Sequence, residues 1–235
     1  MGPDQANYLL YLHNKIRVEI SDMVINQERY WDDVADEKEF TTQFQISAFE
    51  KHVSRESKTL DVGCGYGRTL NELHNCGFKN LVGVDFSQRM IDRGKNLYPH
   101  LVMEKSNGKL PFDDDTFEAV LLLAVLTCII EDEDQKKLIK EILRVLKDNG
   151  IFYINDFIIN EDQRNIKRYD KYKDTYDKYG VFELPEGAVV RHHPKDHIFE
   201  ITKDFHGIEF ETVSYITMNG NKSNGFYYIG KKKQV

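Results

Sequence analysis

The stretch Asp61-Val62-Gly63-Cys64-Gly65-Tyr66-Gly67-Arg68 sets an acid before three alternating glycines. Glycine has no Cβ, so it admits positive φ and lets a ligand lie directly on main chain. Where such a turn opens a helix, free N–H groups face the polar end of a nucleotide-like ligand. A dinucleotide fingerprint requires G-x-G-x-x-G. Here the glycines run G-x-G-x-G, and Arg68 occupies the sixth position. A carboxylate at Asp61, two residues before the first glycine, repels a pyrophosphate and suits a ligand that carries an ammonium group. Asp85 lies 24 positions further on, about the length of one strand-turn-helix-strand unit. At the end of its strand it can accept hydrogen bonds from both hydroxyls of a ribose.

A second group of candidates is Arg191-His192-His193, with His197 and His206 nearby. Arginine binds anionic groups through a planar fork, and histidine exchanges a proton near neutral pH, so Arg191 and His192 are candidate substrate residues. A loop between Pro185 and Pro194 that is simply solvated has the same composition. No metal site is expected, because adjacent histidines followed by His197 match no usual ligand spacing and no carboxylate or thiol completes the set. Cys64, Cys76 and Cys128 are scattered, without a C-x-x-C pair. Cys128 has no base beside it and reads as a small buried residue instead of a nucleophile. Tyr169 and Lys173 satisfy Y-x-x-x-K, as in a short-chain dehydrogenase site, but tyrosines are frequent here and the match reads as coincidence.

These residues need elements that carry them to one edge. Lys58 to Val62 reads as a first strand, followed by the glycine turn and a helix from Arg68 to Asn75 that Gly77 terminates. Leu81 to Asp85 is a second strand, Ser87 caps a helix from Gln88 to Leu97, and Leu101 to Glu104 is a third strand. Phe117 to Leu123 is the fourth. A helix from Glu131 to Leu146, with acids in its first turn and Gly150 closing it, leads to a fifth strand, Ile151 to Asn155. The apolar run Ala119 to Ile130 is shorter than the about 20 residues a membrane span needs and fits a strand buried on both faces. Upstream, Ile16, Ile20 and Val24, then Phe40, Phe44 and Ala48, recur at helical spacing and predict two or three helices. Downstream, a tyrosine-rich helix (Tyr169, Tyr172, Tyr176, Tyr179) precedes a loop. Glu209 to Met218 and Phe226 to Lys231 then form two strands around the hairpin signal Asn219-Gly220-Asn221.

The segment Asp61 to Gly67 resembles motif I of the class I S-adenosylmethionine-dependent methyltransferases. Val84-Asp85-Phe86-Ser87, Leu110-Pro111-Phe112-Asp113, Thr116-Phe117-Glu118-Ala119-Val120 and Arg144-Val145-Leu146-Lys147-Asp148-Asn149-Gly150 follow in that family's order. The resemblance implies an α/β, Rossmann-like doubly wound, mostly parallel seven-stranded sheet with an antiparallel last strand. A helical N-terminal extension and a helical or loop insertion after strand five complete it. It implies S-adenosylmethionine as cofactor and methyl transfer to a small-molecule acceptor. Asp61 would face the methionine amino group, Gly63, Gly65 and Gly67 the methionyl and ribose portions, and Asp85 the ribose, with Phe86 and Leu123 also at the cofactor. Ser106 and Asn107 stand where the family usually has an acid against the adenine amino group, so that contact loses its charge. Trp31 would close over the cofactor as aromatic residues of such extensions do, or anchor the extension in the core. No catalytic base is assigned. A catalytically silent protein with the same pocket and a nicotinamide-dependent oxidoreductase are the alternatives, the latter disfavoured by the missing third fingerprint glycine and by Asp61.

The 235 residues suit one domain, divided into an N-terminal helical extension (1–56), a cofactor-binding core (57–156), a substrate-side insertion (157–200) and C-terminal strands (201–235). A formal net charge of −7 argues against nucleic-acid and anionic-membrane partners, leaving a small-molecule substrate and an open oligomeric state. Lys231-Lys232-Lys233 reads as a solvated end. Without an uninterrupted apolar core in the first twenty residues, no secretory signal is expected, and unpaired thiols fit a cytoplasmic location.

Overall fold

The computed structural model describes residues 27–234. The described chain opens with helix α1 over residues 27–33 and a short helix α2, Ile46–Phe49. Strand β1 (Thr59–Val62), helix α3 (Arg68–Asn75), β2 (Leu81–Asp85), α4 (Gln88–Leu97), β3 (Val102–Lys105), β4 (Phe117–Leu123), α5 (Asp132–Val145) and β5 (Leu146–Phe157) form the doubly wound part. Helix α6 (Gln163–Tyr176), the hairpin β6 (Val181–Glu183) and β7 (Val189–Arg191), and helix α7 (Lys195–Ile201) follow, and then β8 (Phe205–Ile216) and β9 (Lys222–Lys232). The seven-stranded sheet has the order β3-β2-β1-β4-β5-β9-β8. Strands β1 to β5 run parallel, and β9 enters antiparallel between β5 and β8.

The sheet is covered on both faces, which is why its central strands read as near-continuous apolar runs. Leu60, Val62, Val120, Leu122, Phe152 and Ile154 pack with Ile139, Ile142 and Val145 of α5 on one side. The alternate residues Ala119, Leu121, Ile151 and Tyr153 pack with Leu70 and Leu73 of α3, Ile91 of α4, and Phe49 on the other. Full burial of each large side chain is worth about 1.5–3 kcal/mol. Because the chain leaves β1 outward to β2 and β3 and returns to β4, the order reverses between β1 and β4. The crevice beyond their C-terminal ends is where open α/β sheets bind ligands.

Local signals placed most elements within a residue or two, and three departures have physical causes. Phe40 and Phe44 lie in non-helical chain, because side chains from the core take the carbonyls a helix would have used. Arg93 donates to the Ala35 and Lys38 oxygens, Arg68 to that of Thr42, and Asn155 to that of Gln43. The helical signal at Ile16, Ile20 and Val24 lies outside the described residues. Gly150 does not close α5. Leu146 already pairs with Phe117, and residues 147–150 bulge out before Ile151 pairs with Ala119, with the left-handed turn at Asn149 (φ 62°). The expected loop around Pro185 and Pro194 holds the β6–β7 hairpin and α7.

Ser87 is the hinge between the N-terminal segment and this core. Its hydroxyl accepts the Met90 N–H at 3.1 Å, capping α4, and donates to Asp32 Oδ1 at 2.6 Å. Removing a helix cap costs about 1 kcal/mol, and the lost bond to a carboxylate adds to it. Ser87→Ala should lower the unfolding free energy by about 1–3 kcal/mol in urea titrations. Asp32→Ala should share the second part of that loss and add the loss of the Arg89 N–H bond to the same oxygen, 3.3 Å, while a double-mutant cycle isolates the Ser87–Asp32 contribution.

Candidate cofactor and substrate cavity

The glycine turn connects β1 to α3 with Gly63, Gly65 and Gly67 at φ 74°, 54° and 82°, all in the left-handed region that favours glycine. The Gly63 and Cys64 N–H groups donate to the Val84 carbonyl, at 2.8 and 3.0 Å. The Gly65 N–H donates to Asp85 Oδ2 at 2.8 Å, and the Ser87 N–H to Asp85 Oδ1 at 2.8 Å. Each carboxylate oxygen keeps a lone pair for another donor. Burial raises the Asp85 pKa to about 6, against the pull of those N–H groups. Asp61, at 2% exposure, is the sharper case, because its Oδ1 has no hydrogen-bond partner among the described residues. Burial raises its pKa to about 8 despite Arg68 nearby. An orphaned buried carboxylate is costly for the free protein, and a cationic ligand removes that cost. A Cβ on Gly63 would strike Val125 and one on Gly65 the Phe40 ring, so both positions need glycine.

Beyond the turn opens a cavity of about 820 Å³, in the upper part of the range for small-molecule sites. The core supplies Asp61, Gly63, Gly65, Asp85, Phe86, Ser106, Asn107 and Leu123 to its wall. The N-terminal segment supplies Tyr30, Trp31 and Phe40, the end of β5 supplies Phe157, and the region after β5 supplies Arg168, Phe182, Val190 and His192. The sequence expectation thus brings together at one cavity every proposed cofactor residue but Gly67. That glycine is the N-cap of α3, and a Cβ there would meet the Met103 sulfur behind the turn, so its role is conformational. Trp31 lines the cavity and packs edge-on to Tyr30 and Phe40, with centroids 5.2 and 5.9 Å away, so it is both anchor and wall. Ala124, just after β4, holds φ 53° without being glycine. Strained backbone of this kind collects at ligand sites.

The Arg191-His192-His193 run divides three ways. Arg191 is 4% exposed and does not line the cavity. Its Nη1 donates to the Ile130 carbonyl at 2.8 Å and to Asp132 Oδ1 at 2.5 Å. Partial burial acts to raise the Asp132 pKa, yet the Arg191 bond and charge hold it at about 2. Arg191 is therefore a bracket between β7 and the start of α5, not a substrate ligand. His193 is fully buried against Gln135 and the Phe157 carbonyl, and burial lowers its pKa to about 3. His192 alone faces the cavity. The Tyr169 hydroxyl accepts the Asn160 N–H at 3.3 Å and sits 2.6 Å from His192 Nδ1, so its own proton points to that nitrogen and the imidazole proton resides on Nε2. Burial, then the charges of Arg168 and His193, push the His192 pKa well down. It is a neutral donor at pH 7, not the proton acceptor its residue type suggests. Cys128 also lines the cavity, where burial raises its thiol to about 12, too high for a nucleophile. No group of three or more metal-ligating side chains occurs among the described residues. Arg168, Phe157 and Phe182 escaped sequence reasoning. The one available signal was Arg164 and Arg168 at i and i+4 on α6, like charges that normally avoid one helix face.

Residues 60–154 match the family described as Methyltransferase domain. Over 113 residues the chain is 32% identical to the eEF1A lysine and N-terminal methyltransferase of Xenopus laevis, covering 43% of this chain and 16% of that protein. Over 121 residues it is 31% identical to cycloartenol-C-24-methyltransferase 1 of Oryza sativa subsp. japonica, covering 48% and 34%. The chain thus spans about a third or less of the length of these two relatives. Among solved structures, a SAM-dependent methyltransferase from Methanosarcina mazei superposes with a TM-score of 0.77 at 23% identity, over 82% of this chain and 99% of that one. That likeness shows the fold. The family match over residues 60–154 and the sheet order agree with the motif order read from the sequence. No helix among the described residues is long and apolar enough to cross a membrane.

Arg191→Ala leaves Asp132 and the Ile130 carbonyl without their donor, and should cost about 1–3 kcal/mol of stability in denaturant melts while leaving ligand affinity intact. Asp61 has a folded pKa raised to about 8 against an unfolded value near 3.9. The folded state therefore keeps a proton that the unfolded state releases, and stability is lost as pH rises between those values. Relative to Asp61→Asn, the ligand-free wild type should become progressively less stable from pH about 4 to pH about 8 and then level off, as read by thermal melts across that range.

Proposed function

We propose that this protein is an S-adenosylmethionine-dependent methyltransferase that acts on a small molecule held in the cavity. The observation that carries the reading is the orphaned, buried carboxylate of Asp61 beside a glycine turn that Asp85 braces. Asp61 would hold the methionine ammonium group, and the free lone pairs of Asp85 would take the ribose hydroxyls. Gly63 and Gly65 leave room for main-chain contact, Phe86 and Leu123 offer apolar walls, and Ser106 and Asn107 offer uncharged hydrogen bonds at the end of β3. The bound cofactor supplies a methyl group on a positively charged sulfur, a good leaving group. The chain itself has to hold the acceptor in line, and such positioning supplies roughly 7–11 kcal/mol of a barrier. His192 is not a poised general base, since it is neutral with Nδ1 already occupied.

A small acceptor is favoured by the depth of the cavity and its aromatic walls, and by a net charge of −7 that disfavours nucleic acid. The named relatives act on a protein and on a sterol, so relatedness in the core does not choose among acceptors.

The ammonium contact has a proton signature. At pH 7 Asp61 is largely protonated in the free protein, and a cationic ligand must displace that proton. Binding of S-adenosylhomocysteine, measured by calorimetry at pH 7 in buffers of different ionisation enthalpy, should release up to one proton. Asp61→Asn should abolish the release and weaken binding at least about tenfold. Unchanged affinity in that variant would sink the assignment. Transfer of labelled methyl from S-adenosylmethionine into a metabolite extract tests turnover.

A further inference from the structure

We propose, on the reading that the core side of this cavity holds the cofactor, that Arg168 binds the carboxylate of the methyl acceptor, whose flat apolar body lies among Trp31, Phe157 and Phe182. The starting point is how the charges of the cavity wall are paired. Glu28 pairs with Lys105 at 2.7 Å, Asp134 with Lys137 at 2.6 Å, and Glu141 with Arg144 at 2.9 Å. Arg168 lines the same cavity, its Nε is buried without a hydrogen-bond partner, and it forms no ion pair with any described residue.

The geometry around Arg168 is that of a prepared fork. Its guanidinium carbon lies over the Phe182 ring, 3.5 Å from the centroid, so an aromatic contact holds the group in place where no ion pair does. A guanidinium held against a ring is a planar fork that can receive a carboxylate through two parallel hydrogen bonds. Arg164, one turn earlier, lines the same cavity, donates to the Lys222 carbonyl at 3.1 Å and lies 3.9 Å from Asp162. Asp162 is itself occupied as the cap of α6. Two arginines on one helix face repel each other, and a bound anion relieves that repulsion.

His192 adds a second donor. Its ring is 5.0 Å from Phe182, edge to face, and 5.3 Å from Phe157, stacked. With Nδ1 taken by the Tyr169 hydroxyl, the Nε2–H is the ring's free donor, and His192 is a cavity residue. One planar fork and one N–H suit two carboxylate oxygens, whereas a phosphate would bring further charged oxygens against apolar walls. Asp61 and Arg168 do not neutralise each other. Asp61 feels Arg68, Asp85 and Glu72, while Arg168 feels Tyr169, Arg164 and Asp162. The core side of the cavity therefore offers the Asp61 carboxyl, without a cation partner, and the wall supplied by α6 the Arg168 guanidinium, without an ion pair among the described residues. The first matches the cofactor's ammonium and the second a carboxylate on the acceptor.

The test uses two acids and their neutral amides, benzoate with benzamide and cinnamate with cinnamamide, titrated calorimetrically into the whole protein saturated with S-adenosylhomocysteine. At least one acid should bind about tenfold or more tighter than its amide. Arg168→Gln should remove that preference, and Arg168→Lys should restore part of it through charge without the fork. Affinity for S-adenosylhomocysteine and melting temperature, measured on every variant, should stay at wild-type levels. Acids and amides that bind alike, acids that fail to bind at millimolar concentration, or a preference that survives Arg168→Gln would each overturn the proposal. If the wild type fails to bind S-adenosylhomocysteine, the cofactor reading falls on its own, and the same acid and amide titrations of the ligand-free protein still decide the role of Arg168.

Discussion

Asp85 accepts the Gly65 N–H with one oxygen and the Ser87 N–H with the other, and so ties the turn after β1 to the first residues of α4 through one buried carboxylate. The two segments are far apart in sequence and adjacent only because β1 and β2 pair in parallel register, Val62 beside Val84. Without that bridge the Gly65 N–H in the turn and the Ser87 N–H at the start of α4 would both lose their acceptor. The same device recurs at the end of β5, where Asp156 accepts the Thr127 and Phe157 N–H groups at 3.1 and 2.7 Å and burial raises its pKa to about 7. Desolvated carboxylates held by backbone N–H groups thus shape two loops on the ligand side of the sheet. Asp61 is the one whose Oδ1 the protein leaves unsatisfied.

The N-terminal segment works as a strap across this edge. Asp32 receives the Ser87 hydroxyl, Asp36 pairs with Arg89, and Arg93 binds the Ala35 and Lys38 carbonyls and pairs with Glu39. On its other side Gln27 donates to the Val189 carbonyl and Lys38 pairs with Glu186 at 2.7 Å. The strap therefore joins the core to the region after β5 and carries Tyr30, Trp31 and Phe40 into the cavity wall. Exposed ion pairs contribute little on their own. The directional weight rests on the bonds to main chain and on the aromatic contacts of Trp31 with Tyr30 and Phe40.

Much of the architecture was legible because it rests on local and periodic signals. Helix α3 starts at a left-handed glycine and ends before Gly77, Ser87 caps α4, and β4 is the apolar run that burial on both faces demands. Asp61, Gly63, Gly65 and Asp85 could be placed at one site because a strand-turn-helix-strand unit has nearly fixed length, so spacing stands in for distance. Where chain geometry was set by partners far away, the signals misled. Phe40 and Phe44 have helical spacing, but Arg93, Arg68 and Asn155 supply the donors for that segment from outside.

The substrate side shows the same division. Adjacent residues Arg191, His192 and His193 look alike as candidates in sequence, yet the alternating direction of side chains along β7 and beyond sends Arg191 to Asp132, His193 to Gln135, and only His192 to the cavity. Arg168 sat unnoticed in a polar helix because nothing local distinguishes an arginine with a carboxylate partner from one without. Sequence alone determined the sheet, the glycine turn and the acids at its edge, since hydrophobic period, turn chemistry and motif spacing are local properties of the chain. Only the tertiary structure decided which charges find partners and which are left facing the cavity, because pairing, burial and desolvation depend on residues brought together from the N-terminal segment, the core and the region after β5.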